Sequence, residues 1–383
     1  MSRPTSATIH LDALRHNLAQ VRALAPHSKV MAVVKADGYG HGLERVARAL
    51  EGADAFGVAA LSDAERLRAA GLSQRIVLLS GFDEPDDLAQ LRRLDVDTVL
   101  HHESQLEMLE AEARGEYGTD GVRHRAGQGS PLANTRPIKT WLKLDTGMHR
   151  LGFPLARADE VRTRLAKLPN VDPDIVSMTH LASSDDFDGV QTPRQLDAFA
   201  KSVNSSERSV ANSAAVLGWP AAHAEWVRVG GALYGLSVVA GMTGADFGLR
   251  PAMTLATRLI AINRVDKGEW VGYSATWECP GDMDVGVAAI GYGDGYPRSV
   301  PAGTSVLLNG RRVPIIGRVS MDLMTLDLRG VPEAQVGDVV TLWGDGLPVE
   351  EIAAAAGTIS YELTCSITRR VRFVEAQSQS AEN

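Results

Sequence analysis

The string Val30-Met31-Ala32-Val33-Val34-Lys35-Ala36-Asp37-Gly38-Tyr39-Gly40-His41-Gly42 sets one amine between an apolar run and a glycine-rich turn. A lysine that ends a buried strand is expected to be desolvated along its stem. That disfavours the ammonium and frees the amine as a nucleophile and base. Gly38, Gly40 and Gly42 let backbone approach a ligand closely, and Tyr39 offers a hydroxyl to a phosphate. Other reactive types lie downstream. His180 follows an apolar run, and Tyr273 and Tyr292-Gly293-Asp294-Gly295-Tyr296 hold aromatic hydroxyls in β-like sequence. Taken singly, a strand-terminal lysine is more often an exposed flank, and these read more readily as a structural histidine and as strand or turn aromatics. His149 stands beside Arg150, but neighbours on an extended chain face opposite ways, so His149 is not expected to be a catalyst.

Short β-branched runs must position these groups. They fall at Val30–Val34, Phe56–Ala60, Ile76–Leu79, Thr98–Leu100, Trp141–Leu144, Ile175–Met178, Val210–Asn212 and Trp226–Val229. Helical patterns separate most of them. The first helix is marked upstream by Leu11, Leu14, Leu18 and Val21, with Asp12 near its start. Buried strands alternating with helices predict a (β/α)₈ barrel over residues 10–245, and barrel enzymes place their chemistry at the carboxyl ends of the strands. Gly115–Pro137 breaks the rhythm and reads as a mobile surface insertion without catalytic duty. From about Arg250 the period changes to alternation. Asn309-Gly310 between Val306–Leu308 and Val313–Ile316 is a hairpin signal, and further β-like runs lie at Met253–Val265, Val285–Ile290, Leu323–Leu328 and Val339–Leu342. A mostly antiparallel β domain without large helices is expected over residues 246–375, with the first few residues of the chain joining it. Residues 376–383 are expected to be disordered.

Composition narrows the function. The chain has 383 residues, 44% apolar and 22% charged, with a net charge of -8 of mixed sign. That gives no electrostatic footprint for nucleic acid or an anionic membrane, and points to a small-molecule partner. Cys279 and Cys365 are too few for a disulfide framework or a zinc cluster; each is expected to be a small buried hydrophobe. Met1 to His10 lacks a signal-peptide pattern, and no apolar run approaches the roughly 20 residues needed to span a bilayer. A cytoplasmic protein is expected.

The Lys35 string resembles the pyridoxal-phosphate attachment signature of the alanine racemases. Further blocks fall in the same order: Lys143-Leu144-Asp145-Thr146-Gly147-Met148-His149-Arg150-Leu151-Gly152, Thr179-His180, Ala211-Asn212-Ser213-Ala214-Ala215, Arg228-Val229-Gly230, Val271-Gly272-Tyr273, Gly291 to Tyr296, Gly317-Arg318-Val319-Ser320-Met321-Asp322 and Tyr361-Glu362. The resemblance runs from about His10 to Arg372, excepting the insertion. It implies a barrel followed by a C-terminal β domain, pyridoxal 5'-phosphate as cofactor, alanine as substrate, and a homodimer with shared sites.

The resemblance also implies roles. Lys35 is the Schiff-base lysine and the base for the D-side proton, and Tyr273, reached from the partner subunit, serves the L side. An unperturbed tyrosine, pKa about 10, is a poor base at neutral pH, so it needs support, for which His180 and Arg228 are the family's candidates. Arg228 also touches the cofactor ring nitrogen and, keeping its own protons, leaves that nitrogen unprotonated. Tyr39, Ser213, Tyr361 and backbone amides near Gly230 anchor the phosphate. Arg150 and the Met321 amide take the substrate carboxylate. Lys143, whose counterpart in the family is often carbamylated, orients that arginine, and Asp322 gives further support. Asp185, Tyr292, Arg298 and Arg318 line the entrance. Rival readings are an amino-acid decarboxylase of the same two-domain class, a broad-specificity racemase, and a non-enzymatic vitamin-binding barrel. The first resembles this chain less at the Tyr273 and Met321 blocks. The last would lack the β domain.

Overall fold

Runs rich in Val, Ile and Ala pair edge to edge where both faces are buried, and in this chain they close on themselves. The computed structural model describes residues 3–116 and 136–376. Most of the expected insertion and the tail beyond Ala376 lie outside those residues. The chain divides into two compact units, one of Leu18–Gly38 and Gly42–Ala232, the other of Met1–Asn17, Tyr39–His41 and Leu233–Asn383.

In the first unit, the strands Lys29–Val33, Ala55–Val58, Arg75–Leu78, Val96–Leu100, Thr140–Asp145, Val176–Met178, Arg208–Ser209 and Trp226–Val229 pair in parallel in that order. Trp226 opposite Lys29 returns the last to the first. This is the expected (β/α)₈ barrel. Met31, Ala55, Val77, Val99, Trp141, Val176, Met178 and Trp226 fill its interior, with the two tryptophan rings edge to face at 5.3 Å. One strand differs from expectation. The seventh is Arg208–Ser209, not Val210–Asn212; Val210 and Ala211 are buried just past its end, where the Ala211 carbonyl still accepts from Arg228 N of the last strand at 2.9 Å.

In the second unit, Met253–Val265 is the central strand, with its outer neighbours antiparallel to it, and the hairpin Ser305–Leu308/Arg311–Ile316 turns on Asn309 (φ 45°) and Gly310 (φ 82°). Those angles are what a two-residue hairpin requires. The strands are antiparallel except where Ser6–Ile9 lies parallel to Arg372–Glu375. Two short helices, Val349–Ala356 and Ser360–Cys365, belong to this unit. Cys279 is buried as expected, but Cys365 is exposed, at the end of its helix. Among the described residues no helix is long and apolar enough to cross a membrane.

Candidate active site

Lys35 is separated from the end of the first barrel strand by Val34 alone and is exposed at the mouth. The desolvation expected of Lys35 falls instead on Lys143, whose side chain is buried in the strand Thr140–Asp145. Burial first, then Arg228, Arg150 and Lys35, push the Lys143 amine down to about 8. Past Lys35 the chain turns left-handed, and Ala36, Asp37, Gly38, Tyr39 and Gly40 all have positive φ. Each non-glycine residue there costs about 1–2 kcal/mol. Gly42 N donating to Asp37 O (2.8 Å), and the Asp37 carboxylate accepting from Leu43 N and Arg66, hold the turn. Gly40 serves the chain rather than a ligand, since a Cβ there would stand 2.0 Å from the Thr364 carbonyl oxygen.

Arg228 comes from the last barrel strand and is only 4% exposed. Its guanidinium donates to Ser209 O (2.8 Å) and Oγ (2.9 Å), Thr179 O (2.7 Å), Val210 O (3.4 Å) and His180 Nδ1 (3.3 Å). None of these acceptors is a carboxylate. Burial lowers Arg228 to about 10, so it remains charged at neutral pH. His180 is driven down to about 3, by burial first and then by Arg228, Lys143, Arg150 and Lys35. The barrel mouth is therefore a cationic basin with a neutral imidazole in it.

Arg150 ends a loop pinned by one carboxylate. Asp145 Oδ1 accepts from Gly147 N, Met148 N and His149 N, while its Oδ2 meets His149 Nδ1 at 2.9 Å. His149 is thus occupied with its own loop, as the sequence led us to expect of a bystander. The Arg150 side chain is exposed and has no hydrogen-bond or ion-pair partner among the described residues. Ser213 Oγ accepts from Gly230 N (2.9 Å) and Ala232 N (3.3 Å). The Gly230 amide, expected to face a phosphate, is spent on Ser213, whose own hydroxyl hydrogen is then directed elsewhere. Asp185 is exposed on this unit.

The second unit gathers the remaining groups. Tyr39 packs against Tyr234 at 4.9 Å and edge-on to Tyr361 at 5.5 Å. Burial, then Cys365, raises Tyr39 to about 12, which keeps its hydroxyl a donor. Tyr273 is 67% exposed between Gly272, Ser274 and Ala275, all at positive φ. Met321 is also exposed, and its carbonyl accepts from Gly293 N at 2.8 Å, tying it to the Tyr292 turn. Asp322 is gripped by Arg370 and lies 3.6 Å from Arg3. Arg298 and Arg318 line one depression of about 310 Å³ with Thr276 and Pro301.

Residues 9–238 match the family model for the alanine racemase N-terminal domain, and residues 252–375 that for its C-terminal domain. The chain belongs to the alanine racemase family. It is similar to the alanine racemase of Shewanella loihica, 49% identical over 95% of this chain and 97% of that one. The Nitrosococcus oceani alanine racemase is 50% identical over the same shares. Among solved structures it resembles the biosynthetic alanine racemase of Pseudomonas aeruginosa, 42% identical with a TM-score of 0.89 over 98% of this chain and all of that one.

Set in an alanine racemase, several residues stand out that motif reasoning passed over. Thr146 Oγ1 and Thr179 Oγ1 lie 2.7 Å apart, and Gln195 bonds to Thr146 and to the His180 carbonyl. Ser209 holds Arg228. Gln191 and Gln195 could have been found as polar residues one helical turn apart on the same face as Thr192 and Phe199.

Proposed function

We propose that the chain interconverts L- and D-alanine with pyridoxal 5'-phosphate held at the barrel mouth, supplying D-alanine for peptidoglycan from the cytoplasm. The observation that carries this reading is a full-length likeness to alanine racemases in which both family domains are matched in order. That order weighs against a barrel-only vitamin-binding protein. The donor set suits the cofactor. Arg228 and Arg150 give a cationic basin for a phosphorylated, anionic ring, and the neutral His180 adds no further charge.

When bound, the cofactor supplies an electron sink for the α-carbon of the amino acid. Lys35 Nζ anchors it and carries the D-side proton. Tyr273 Oη, from the partner subunit of a homodimer, carries the L-side proton; its exposure on a left-handed tip suits a group offered to a neighbour. Arg228 would serve the ring nitrogen and, keeping its own protons, would leave that nitrogen without one. The hydroxyls of Tyr39, Ser213 and Tyr361 would hold the phosphate, with Gly230 orienting Ser213. Arg150 takes the substrate carboxylate, as an unpaired guanidinium suits, together with the Met321 amide. Lys143 and Asp322 support these two, and Asp185, Tyr292, Arg298 and Arg318 narrow the entrance.

Incubating the holoenzyme with L-alanine and separating the enantiomers tests the reading. The expected end point is an equal mixture of the two. Carbon dioxide release, or no D-alanine, would overturn it in favour of a decarboxylase or a binder.

A further inference from the structure

The helix Gln191–Ser202 turns a polar stripe toward the barrel mouth. Gln195 on that stripe is fully buried, at 0% exposure. A buried carboxamide is costly unless each of its groups is paired, and here each is. Gln195 Nε2 donates to Thr146 Oγ1 (2.9 Å) and to the His180 carbonyl (3.2 Å), while Oε1 accepts from Ala182 N (2.8 Å). One turn earlier, Gln191 Nε2 donates to Gly147 O at 3.2 Å. The same helix face therefore grips two loops. The first, Thr146 and Gly147, leads to Arg150. The second runs from Thr179 through His180 to Ala182.

A second link closes the network. Thr146 Oγ1 bonds Thr179 Oγ1, and the Thr179 carbonyl accepts from Arg228 at 2.7 Å. A fully satisfied buried network of this kind admits one arrangement and resists others. We propose that Gln195 is a positioning residue of the racemase site, locking the loop that carries Arg150 to the loop that carries His180. It thereby sets the carboxylate-binding side against the Arg228–His180 side. The proposal rests on the site reading above, because only in that reading do both loops face reacting groups.

Gln195→Leu keeps the volume and removes all three bonds. Gln195→Glu keeps the shape, but once ionised it turns lone pairs toward the His180 carbonyl; when protonated it regains one donor. In the purified holoenzyme, Gln195→Leu is expected to lower kcat/KM for alanine by on the order of 100-fold, the cost of a misplacement of about 1 Å. It is also expected to shift the ring ¹⁵N signals of His180, identified by their loss in His180→Gln. The activity of Gln195→Glu relative to wild type is expected to rise as the pH falls and its carboxyl takes up a proton, while that of Gln195→Leu stays level. Should Gln195→Leu fail to fold, Thr146→Val removes the acceptor on the Arg150 loop and is expected to shift the same His180 signals. Unmoved His180 signals in these variants, or activity within about threefold of wild type, overturn the proposal. The His180 signals report on positioning even if the wild type proves not to racemise alanine, so the two readings fail separately.

Discussion

The Arg228 guanidinium donates to Nδ1 of His180 across 3.3 Å, and this fixes the imidazole as a neutral acceptor with its hydrogen on Nε2. Its pKa of about 3 in the fold lies far below the value of about 6.5 in an unfolded chain. Between those values the unfolded chain binds a proton that the folded one refuses. Stability from this group is therefore present above about pH 6.5 and declines as the pH falls toward 3. Urea midpoints of the wild type are expected to drop between pH 7.5 and pH 5, and His180→Gln to flatten that drop. An unchanged slope in the variant would show that His180 does not carry it.

The amine of Lys143, held near 8, is partly neutral under physiological conditions and so able to add to carbon dioxide. A carbamate there would be an anion among Arg228, Arg150 and Lys35. Lys143→Ala is expected to lose at least about tenfold in kcat/KM, the worth of one charged hydrogen bond, and to regain part of it with acetate or chloride. Full activity in the absence of any added anion would remove Lys143 from the account.

At the opposite end of the barrel, Asp97 is 3% exposed and accepts from Trp141 Nε1 (2.9 Å) and from Arg75. The Arg75 guanidinium also lies over the rings of Trp141 and Trp226. Asp97→Ala leaves a buried indole N–H and a guanidinium without their acceptor. A loss of about 3 kcal/mol in unfolding free energy is expected, with kcat little changed because the strand ends carrying chemistry lie at the other face. The denaturation midpoint and the turnover rate check the two halves of that statement.

The barrel was legible because burial on both faces leaves apolar, β-branched runs, and Trp226–Val229 was placed to the residue. Arg208–Ser209 was missed for the converse reason: it is short and polar, while the apolar residues beside it are buried just past the strand's end. Motif order singled out Lys35, Arg228 and Tyr273 as candidates. It could not show that Lys35 is exposed and Lys143 desolvated, since burial of a strand-end side chain depends on which neighbours rise around it. Gln195 left no trace in motif reasoning, because the polar helix face it shares with Gln191 acquires its meaning only from the two loops it meets.

The proposed homodimer makes its own prediction. Lys35→Ala and Tyr273→Ala proteins, each inactive alone, are expected on mixing to regain up to about a quarter of wild-type activity, from the sites that receive both native residues. Subunit exchange shown by differential labelling, with no return of activity, would place both residues in one chain's site.

The central claim is that Lys35 and Tyr273 work on opposite faces of one α-carbon. The most direct measurement is α-proton exchange by Tyr273→Phe in deuterated water, followed by proton NMR from each alanine enantiomer. With Lys35 intact, D-alanine is expected to lose its α-proton while L-alanine keeps it, and neither should invert at an appreciable rate. Exchange from L-alanine as fast as from D-alanine would contradict the assignment of the two faces.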